Sequence, residues 1–264
     1  MDTQAILTLF DRQQRVDIEY PDMRKEVLPH VVRFIRPAPG MSFVLHSRLD
    51  ETNADAVIEE QIAYFTQQGL PFKWDVYAYD TPADLKDRLV AHGFEPDLEP
   101  DDPGAVLVLD LQQAPPSLLA PVTADVRRIA ERDRLQDVID VEAQVLGGNF
   151  DWMKDRLGGH LEVPGYLSVY AAYVEGRPAC CGWVYYHIRS QFAGLFGGAT
   201  LPAYRGRGLY TAVLAVRVQE AIRRGYRFLT IDASPMSRPI VARHGFQLLT
   251  YACSYSNYSA RSVP

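Results

Sequence analysis

Residues 201–213 read LPAYRGRGLYTAV. Two arginines and two glycines alternate after a proline, and a run with helical spacing opens at Leu209. A strand that enters a glycine-rich turn and then a helix makes an anion site. The first N–H groups of a helix have no partner inside it, and the helix dipole adds partial positive charge there. Gly206 and Gly208 let the backbone approach a bulky anion. Arg205 and Arg207 add permanent charge and forked donors that suit phosphate oxygens. The stretch predicts a pyrophosphate cradle, with a tight turn carrying solvated arginines as the alternative. It is not the nucleotide P-loop, because no Gly-Lys-Ser/Thr follows, and no G-x-G-x-x-G is present.

Upstream, residues 191–201 (QFAGLFGGATL) read as a strand whose Gly197 and Gly198 suit a bulge or a splay. Residues 166–174 and 178–187 read as strands joined at Gly176. Downstream, a helix runs from about Leu209 to Arg224, with Leu209, Val213, Val216 and Ile222 as its apolar face and Gly225 ending it. A strand over 227–233, a short helix over 237–244 and a last strand over 246–255 follow. Residues 123–146 read as helix, with room for a short strand at the start. LQQAPPSLLAP (111–121) reads as a linker, so the chain is cut into domains 1–117 and 118–264.

The chain has 264 residues, 47 % hydrophobic and 23 % charged, an ordinary globular composition. No apolar stretch nears the roughly 20 residues of a membrane helix. Three cysteines make no disulfide framework, and Cys180–Cys181 lacks partners at metal spacing; these features predict a cytoplasmic protein without a metal. The net charge of −6 divides unevenly: residues 1–120 carry −11 and residues 121–264 carry +5. The second half suits a polyanion and the first does not. A weak repeat also runs through the chain. QQGLPFKWDVYAYDTP (67–82) parallels RRGYRFLTIDASP (223–235), and RLVAHGF (88–94) parallels IVARHGF (240–246).

GGATLPAYRGRGLYTAVL, followed by a helix, a strand and ASPMSRPIVARHGF, resembles the GCN5-related N-acetyltransferase (GNAT) family over roughly residues 123–256. Arg205 and Gly208 match the family's Gln/Arg-x-x-Gly-x-Gly/Ala loop; Tyr210 departs from it at the sixth position. The resemblance implies an α+β fold in two GNAT-like domains. Each would be a mixed, mostly antiparallel twisted sheet flanked by helices, with a splayed central strand in the C-terminal copy. It implies acetyl-CoA, or another acyl-CoA, as co-substrate. The backbone of Gly198, Ala199 and Thr200 would bond the pantetheine, and Arg205, Gly206, Arg207, Gly208, Leu209, Tyr210 and Thr211 the pyrophosphate. The acceptor would be a small-molecule or peptide amine, with no nucleic acid or membrane partner and a homodimer left open. In the first copy the loop's counterpart is RLDETNAD (48–55), which has no glycine and carries Asp50, Glu51 and Asp55. It predicts a degenerate copy that binds no CoA.

Acyl transfer from a thioester to an amine needs a neutral amine and an acid for the departing thiolate. The family's usual tyrosine falls at Val241, and its frequent strand glutamate is missing from AGLFGGAT. Ser234 matches the family's cofactor-side asparagine and offers a hydroxyl. Tyr251 lies on the last strand. These two are the catalytic candidates, and Ser234 also counts as cofactor-binding. Glu142, shortly before the loop GGNFDW (147–152), reads as a solvated helix residue. Tyr186 and His187 end a strand, with one of them facing the site. A non-catalytic acyl-CoA sensor is the alternative function.

Overall fold

The structure, a computed structural model, describes residues 2–98 and 104–258. By contacts the chain divides into two units: Met1–Val106 with Ala233–Arg238 and Leu248–Pro264, and Leu107–Asp232 with Pro239–Gln247. The sequence cut near residue 118 differs from this division by about a dozen residues, and the last strand joins the first unit.

In the first unit, α1 (Thr3–Phe10) runs into a π-helical turn (Asp11–Val16). Then come β1 (Arg24–Val27), β2 (Val31–Ile35), β3 (Ser42–Ser47), α2 (Ala54–Gln68), β4 (Phe72–Tyr77), α3 (Leu85–Ala91) and β5 (Glu95–Pro96). Residues Ala54, Val57, Ile58, Gln61 and Phe65 give α2 one buried face, and Gly69 closes it in the left-handed conformation at φ 65°. The core gathers Phe65, Phe72, Trp74 and Phe94. Its strand order is β1-β2-β3-β4, completed by β12 (Gln247–Asn257), which pairs antiparallel with β4 from Ala252↔Tyr77 to Asn257↔Phe72.

The second unit takes Leu107–Asp110 of β6 (Gly104–Asp110), then α4 (Pro116–Leu119), β7 (Asp125–Ile129), α5 (Gln136–Leu146) and α6 (Trp152–Leu161). After these come β8 (Leu167–Val174), β9 (Arg177–Tyr186), β10 (Phe192–Thr200), α7 (Leu209–Arg223), β11 (Phe228–Ala233) and α8 (Arg238–Ala242). Its strand order is β6-β11-β10-β9-β8-β7. β10 and β11 are parallel, and each neighbouring pair from β7 to β10 is antiparallel. Side chains alternate across β9 as the pleat requires. Cys181, Trp183 and Tyr185 join Val138 and Ile139 of α5 on one face. Cys180 joins Leu209 and Val213 of α7 on the other.

Three local expectations change. The helix expected from residue 123 begins at Gln136; before it Val126 alternates with charged neighbours in β7, a strand pattern, and a 3-10 turn (Arg132–Leu135) intervenes. The segment 111–121 is no free tether: Leu118 is fully buried, and Gln219 Nε2 donates to the carbonyls of Leu118 (3.0 Å) and Ala120 (2.9 Å). Burying a leucine contributes roughly 1.5–3 kcal/mol, enough to dock so short a segment. Finally, Ile222 lies outside the buried face of α7, which instead includes Arg217 and Glu220.

Candidate functional site

The second unit's central strand parts from its neighbour. The β10–β11 register runs from Phe192↔Phe228 to Leu195↔Ile231 and stops there. On its other edge β10 stays with β9, through a bulge between Phe196↔Trp183 and Ala199↔Cys181. Gly197 makes that bulge at φ 60°, and a Cβ on it would lie 1.7 Å from the Trp183 ring. No other residue fits there. The backbone of Gly198, Ala199 and Thr200 thus keeps one edge on β9 and turns the other away from β11. An extended chain with amides of its own pairs with such an edge as an added strand would.

Beyond β10, Pro202–Tyr204 form a 3-10 turn, and Arg205 Nε donates to the Thr200 carbonyl at 3.2 Å. Gly206 and Gly208 follow at φ 75° and 77°. A Cβ at either would meet nothing within 4 Å, so glycine is needed for the left-handed backbone and not for space. Gly208 stands at the N-cap of α7 in the left-handed conformation, and among the described residues no side chain caps the helix. The Arg207 guanidinium lies 5.2 Å from the centre of the Tyr204 ring. Neither Arg205 nor Arg207 has an ion-pair partner among the described residues. Tyr210, the departure from the family loop, packs its ring against Gly198. Thr211 Oγ1 sits 3.3 Å from His244 Nε2, and burial lowers the pKa of that imidazole.

Two buried charged side chains reach the bulge from opposite faces, and the sequence reading singles out neither as buried. Arg217, fully buried on α7, donates through Nη1 to the carbonyls of Trp183 and Phe196, both at 3.3 Å, and through Nε to Val213 at 3.1 Å. Its guanidinium lies where a side chain on Gly182 would go, and its Nη2 has no partner among the described residues. Burial lowers its pKa. On the other face Glu142 is 4 % exposed, which corrects the expectation of a solvated residue. The Cys181 thiol donates to Glu142 Oε1 at 3.5 Å and lies 3.6 Å from the Gly197 carbonyl. Burial pushes the Glu142 carboxyl up, with the Cys181 hydrogen bond as the counterweight.

Gly198, Ala199, Thr200 and Arg205 to Thr211 therefore lie together in the second unit. By contacts, Ser234 and Tyr251 fall in the first unit. Ser234 is exposed, with its Oγ 3.2 Å from Ser237 Oγ, and Tyr251 has the Arg238 guanidinium 5.3 Å from its ring centre. Val241 is fully buried. Tyr186 stacks under the Arg224 guanidinium at 3.9 Å, whereas His187 contacts the Tyr166 ring.

Solved structures share this architecture along almost the whole chain. A GCN5-related N-acetyltransferase from Kribbella flavida matches 97 % of this chain and 95 % of its own, at a TM-score of 0.70 and 14 % identity. A tandem GNAT protein from the clavulanic acid biosynthesis pathway matches 97 % and 94 %, at a TM-score of 0.60 and 13 % identity. A GCN5-related N-acetyltransferase from Sphaerobacter thermophilus matches 97 % and 91 %, at 0.59 and 14 %. No family model and no curated protein matches the sequence. The chain has the fold of the GCN5-related N-acetyltransferases. Among the described residues, no helix is long and apolar enough to cross a membrane.

Proposed function

We propose that this chain is an N-acyltransferase whose second unit binds acetyl-CoA, or another acyl-CoA, and passes the acyl group to an amine by direct attack in a ternary complex. One observation carries the reading. An uncapped helix N-terminus, two left-handed glycines and two arginines without ion pairs stand directly after a strand that has left its neighbour. The Arg205–Thr211 loop meets the pyrophosphate, and the free edge of Gly198–Thr200 takes the pantetheine. The thioester then lies at the bulge, where the backbone has donors for the developing oxyanion. The proton of the leaving thiolate is assigned to Ser234 or Tyr251 on chemical grounds, as the hydroxyls the sequence offers in place of a tyrosine at Val241. The acceptor is a small-molecule or peptide amine, and a cytoplasmic setting suits three unpaired thiols.

The test is calorimetric titration with acetyl-CoA, followed by CoA-thiol release across a panel of primary amines. Binding with turnover supports the transferase. Binding without turnover of any amine supports the acyl-CoA sensor instead, and no binding defeats both.

A further inference from the structure

Glu142 is a buried carboxylate with no cation. Among the described residues it forms no ion pair, and its one hydrogen bond comes from a thiol. A carboxylate taken out of water without a partner is costly, so a sequence that keeps one in a core has an uncompensated charge to explain. The rest of its helix face is apolar: Leu135, Val138 and Ile139 precede it at helical spacing and are all buried. An apolar residue there would extend that face at lower cost.

Its position is specific. The Cys181 thiol fills the hollow of the β10 bulge, 3.6 Å from the Gly197 carbonyl, and Glu142 sits directly behind it. Glu142 Oε2 accepts from no described residue, and it is not among the side-chain oxygens sealed from solvent without a partner. Among the described residues, the titratable groups set against the carboxylate are the thiols of Cys181 and Cys180 on β9. On the same face the first residue of the bulge, Phe196, is 44 % exposed, with its ring 5.4 Å from that of Tyr185. Phe196 thus presents exposed apolar surface on that face beside the bulge.

We propose that Glu142 is the base that receives the proton of the attacking amine, and that the amine enters on the α5 face of β10 with an apolar body against Phe196. This rests on the acyl-CoA reading of the second unit. The chemistry balances. The ammonium gives one proton to the Glu142 carboxylate, and the neutral nitrogen attacks the thioester carbon. The C–N bond forms, the C–S bond breaks, Ser234 or Tyr251 protonates the thiolate to give CoA-SH, and the nitrogen's second proton restores that hydroxyl. Glu142 then returns its proton to solvent. Burial favours the role, since a carboxyl raised above its ordinary pKa is a stronger base.

The experiment uses the full chain, acetyl-CoA and tyramine, an amine with a flat apolar body. Thiol release is followed against pH, and acetyl-CoA affinity is measured by calorimetry. Glu142→Gln is expected to lower kcat by about 10²–10⁴-fold, the usual contribution of acid–base catalysis. Acetyl-CoA affinity should hold, and the acid limb of the pH–rate profile should vanish. Glu142→Asp, which retains the carboxyl, should keep that limb at a reduced rate, and it carries the test if the Gln variant does not fold. Wild-type turnover in Glu142→Gln, or in Glu142→Asp the loss of the limb with an unreduced rate, overturns the assignment. Failure of the wild type to bind acetyl-CoA overturns the reading beneath it. Binding without turnover of tyramine or any other amine overturns the assignment of Glu142 and leaves the acyl-CoA site standing.

Discussion

The two units share a design and treat charge in opposite ways. In each, a central strand bulges against one neighbour and pairs in parallel with the other over only a few residues: Ser42–Val44 of β3 on β4, and Phe192–Leu195 of β10 on β11. The loops that leave these strands differ. After β3, the Asp50 carboxylate accepts from the N–H groups of Thr52 (2.8 Å) and Asn53 (3.1 Å) and from Thr52 Oγ1 (2.6 Å). An internal anion thus holds the turn just ahead of α2. Both helices start without a side-chain cap, but the loop after β10 carries glycines and arginines and no acid. The interiors show the same contrast. In the first unit buried Arg15 is held by both oxygens of Asp80 at 2.7 Å and by Asp11 at 2.8 Å, with the Tyr77 ring 4.0 Å below it. The second also pairs buried Glu220 with Arg224 and Asp110 with Arg227, both at 2.7 Å, but Arg217 and Glu142 are buried there without partners of opposite charge among the described residues. A closed set of ion pairs holds a fold together, and an open set is available to a ligand.

Arg15 offers the strongest test of this contrast. Arg15→Met leaves Asp80 buried and uncompensated, and removing one partner of a buried pair costs about 3–5 kcal/mol. Chemical denaturation should show that loss, while the protein that remains folded binds acetyl-CoA with wild-type affinity. A matching loss of affinity would mean that the first unit's charges serve the ligand as well.

Next in size is the loop itself. Arg207→Glu replaces an unpaired cation with an anion beside the uncapped helix. Charge-assisted hydrogen bonds are worth about 1.5–3 kcal/mol, so acetyl-CoA affinity should fall roughly tenfold to a hundredfold. The same titration of the wild type should give one CoA per chain. A stoichiometry of two would show that Asp50 does not close the first unit's loop, and unchanged affinity in the variant would remove the pyrophosphate from the second.

The contrast is only half legible in the sequence. The loops are readable because their chemistry is local: glycine spacing, arginines and the Asp50–Asp55 acids lie within a few residues of the helix each precedes. The splay at Gly197–Gly198 is readable for the same reason. Arg217 and Glu142 are not, because burial is set by the opposing strand. Each does lie on an apolar helical stripe, Glu142 after Leu135, Val138 and Ile139, and Arg217 between Val213 and Ala221. A charged residue inside such a stripe is the available signal. Chain order puts Tyr251 with the second half, yet nothing in FQLLTYACSY names β4 as its neighbour.

A smaller effect separates the units by pH. Burial pushes the Asp11 carboxyl up, but the hydrogen bond from His46 and the Arg15 guanidinium outweigh it and hold its pKa at about 2. The folded value lies below the unfolded one of about 3.9, so Asp11 stabilises the fold fully above that range. Its contribution, about 2 kcal/mol, is lost as pH falls from about 5 toward 2. Asp11→Asn should therefore lower stability at neutral pH and flatten the acid limb of a denaturation series. An unchanged limb would mean that other carboxylates carry it.

The smallest effect tests the internal anion directly. Hydrogen bonds from Thr52 hold the Asp50 carboxyl below the ordinary range although it is solvent-exposed. Asp50→Ala should lower the melting temperature slightly, since an exposed turn contributes little, and the loss should shrink at acid pH, where the wild-type carboxylate is itself protonated. The variant frees the N–H groups of Thr52 and Asn53, yet it should not gain acetyl-CoA binding. The freed loop still lacks a left-handed glycine to bring its backbone against a phosphate, still carries Glu51 and Asp55, and has no equivalent of Arg205 or Arg207 beyond Arg48. A second CoA in calorimetry of Asp50→Ala would show that this one carboxylate, and not the loop's backbone, separates the two units.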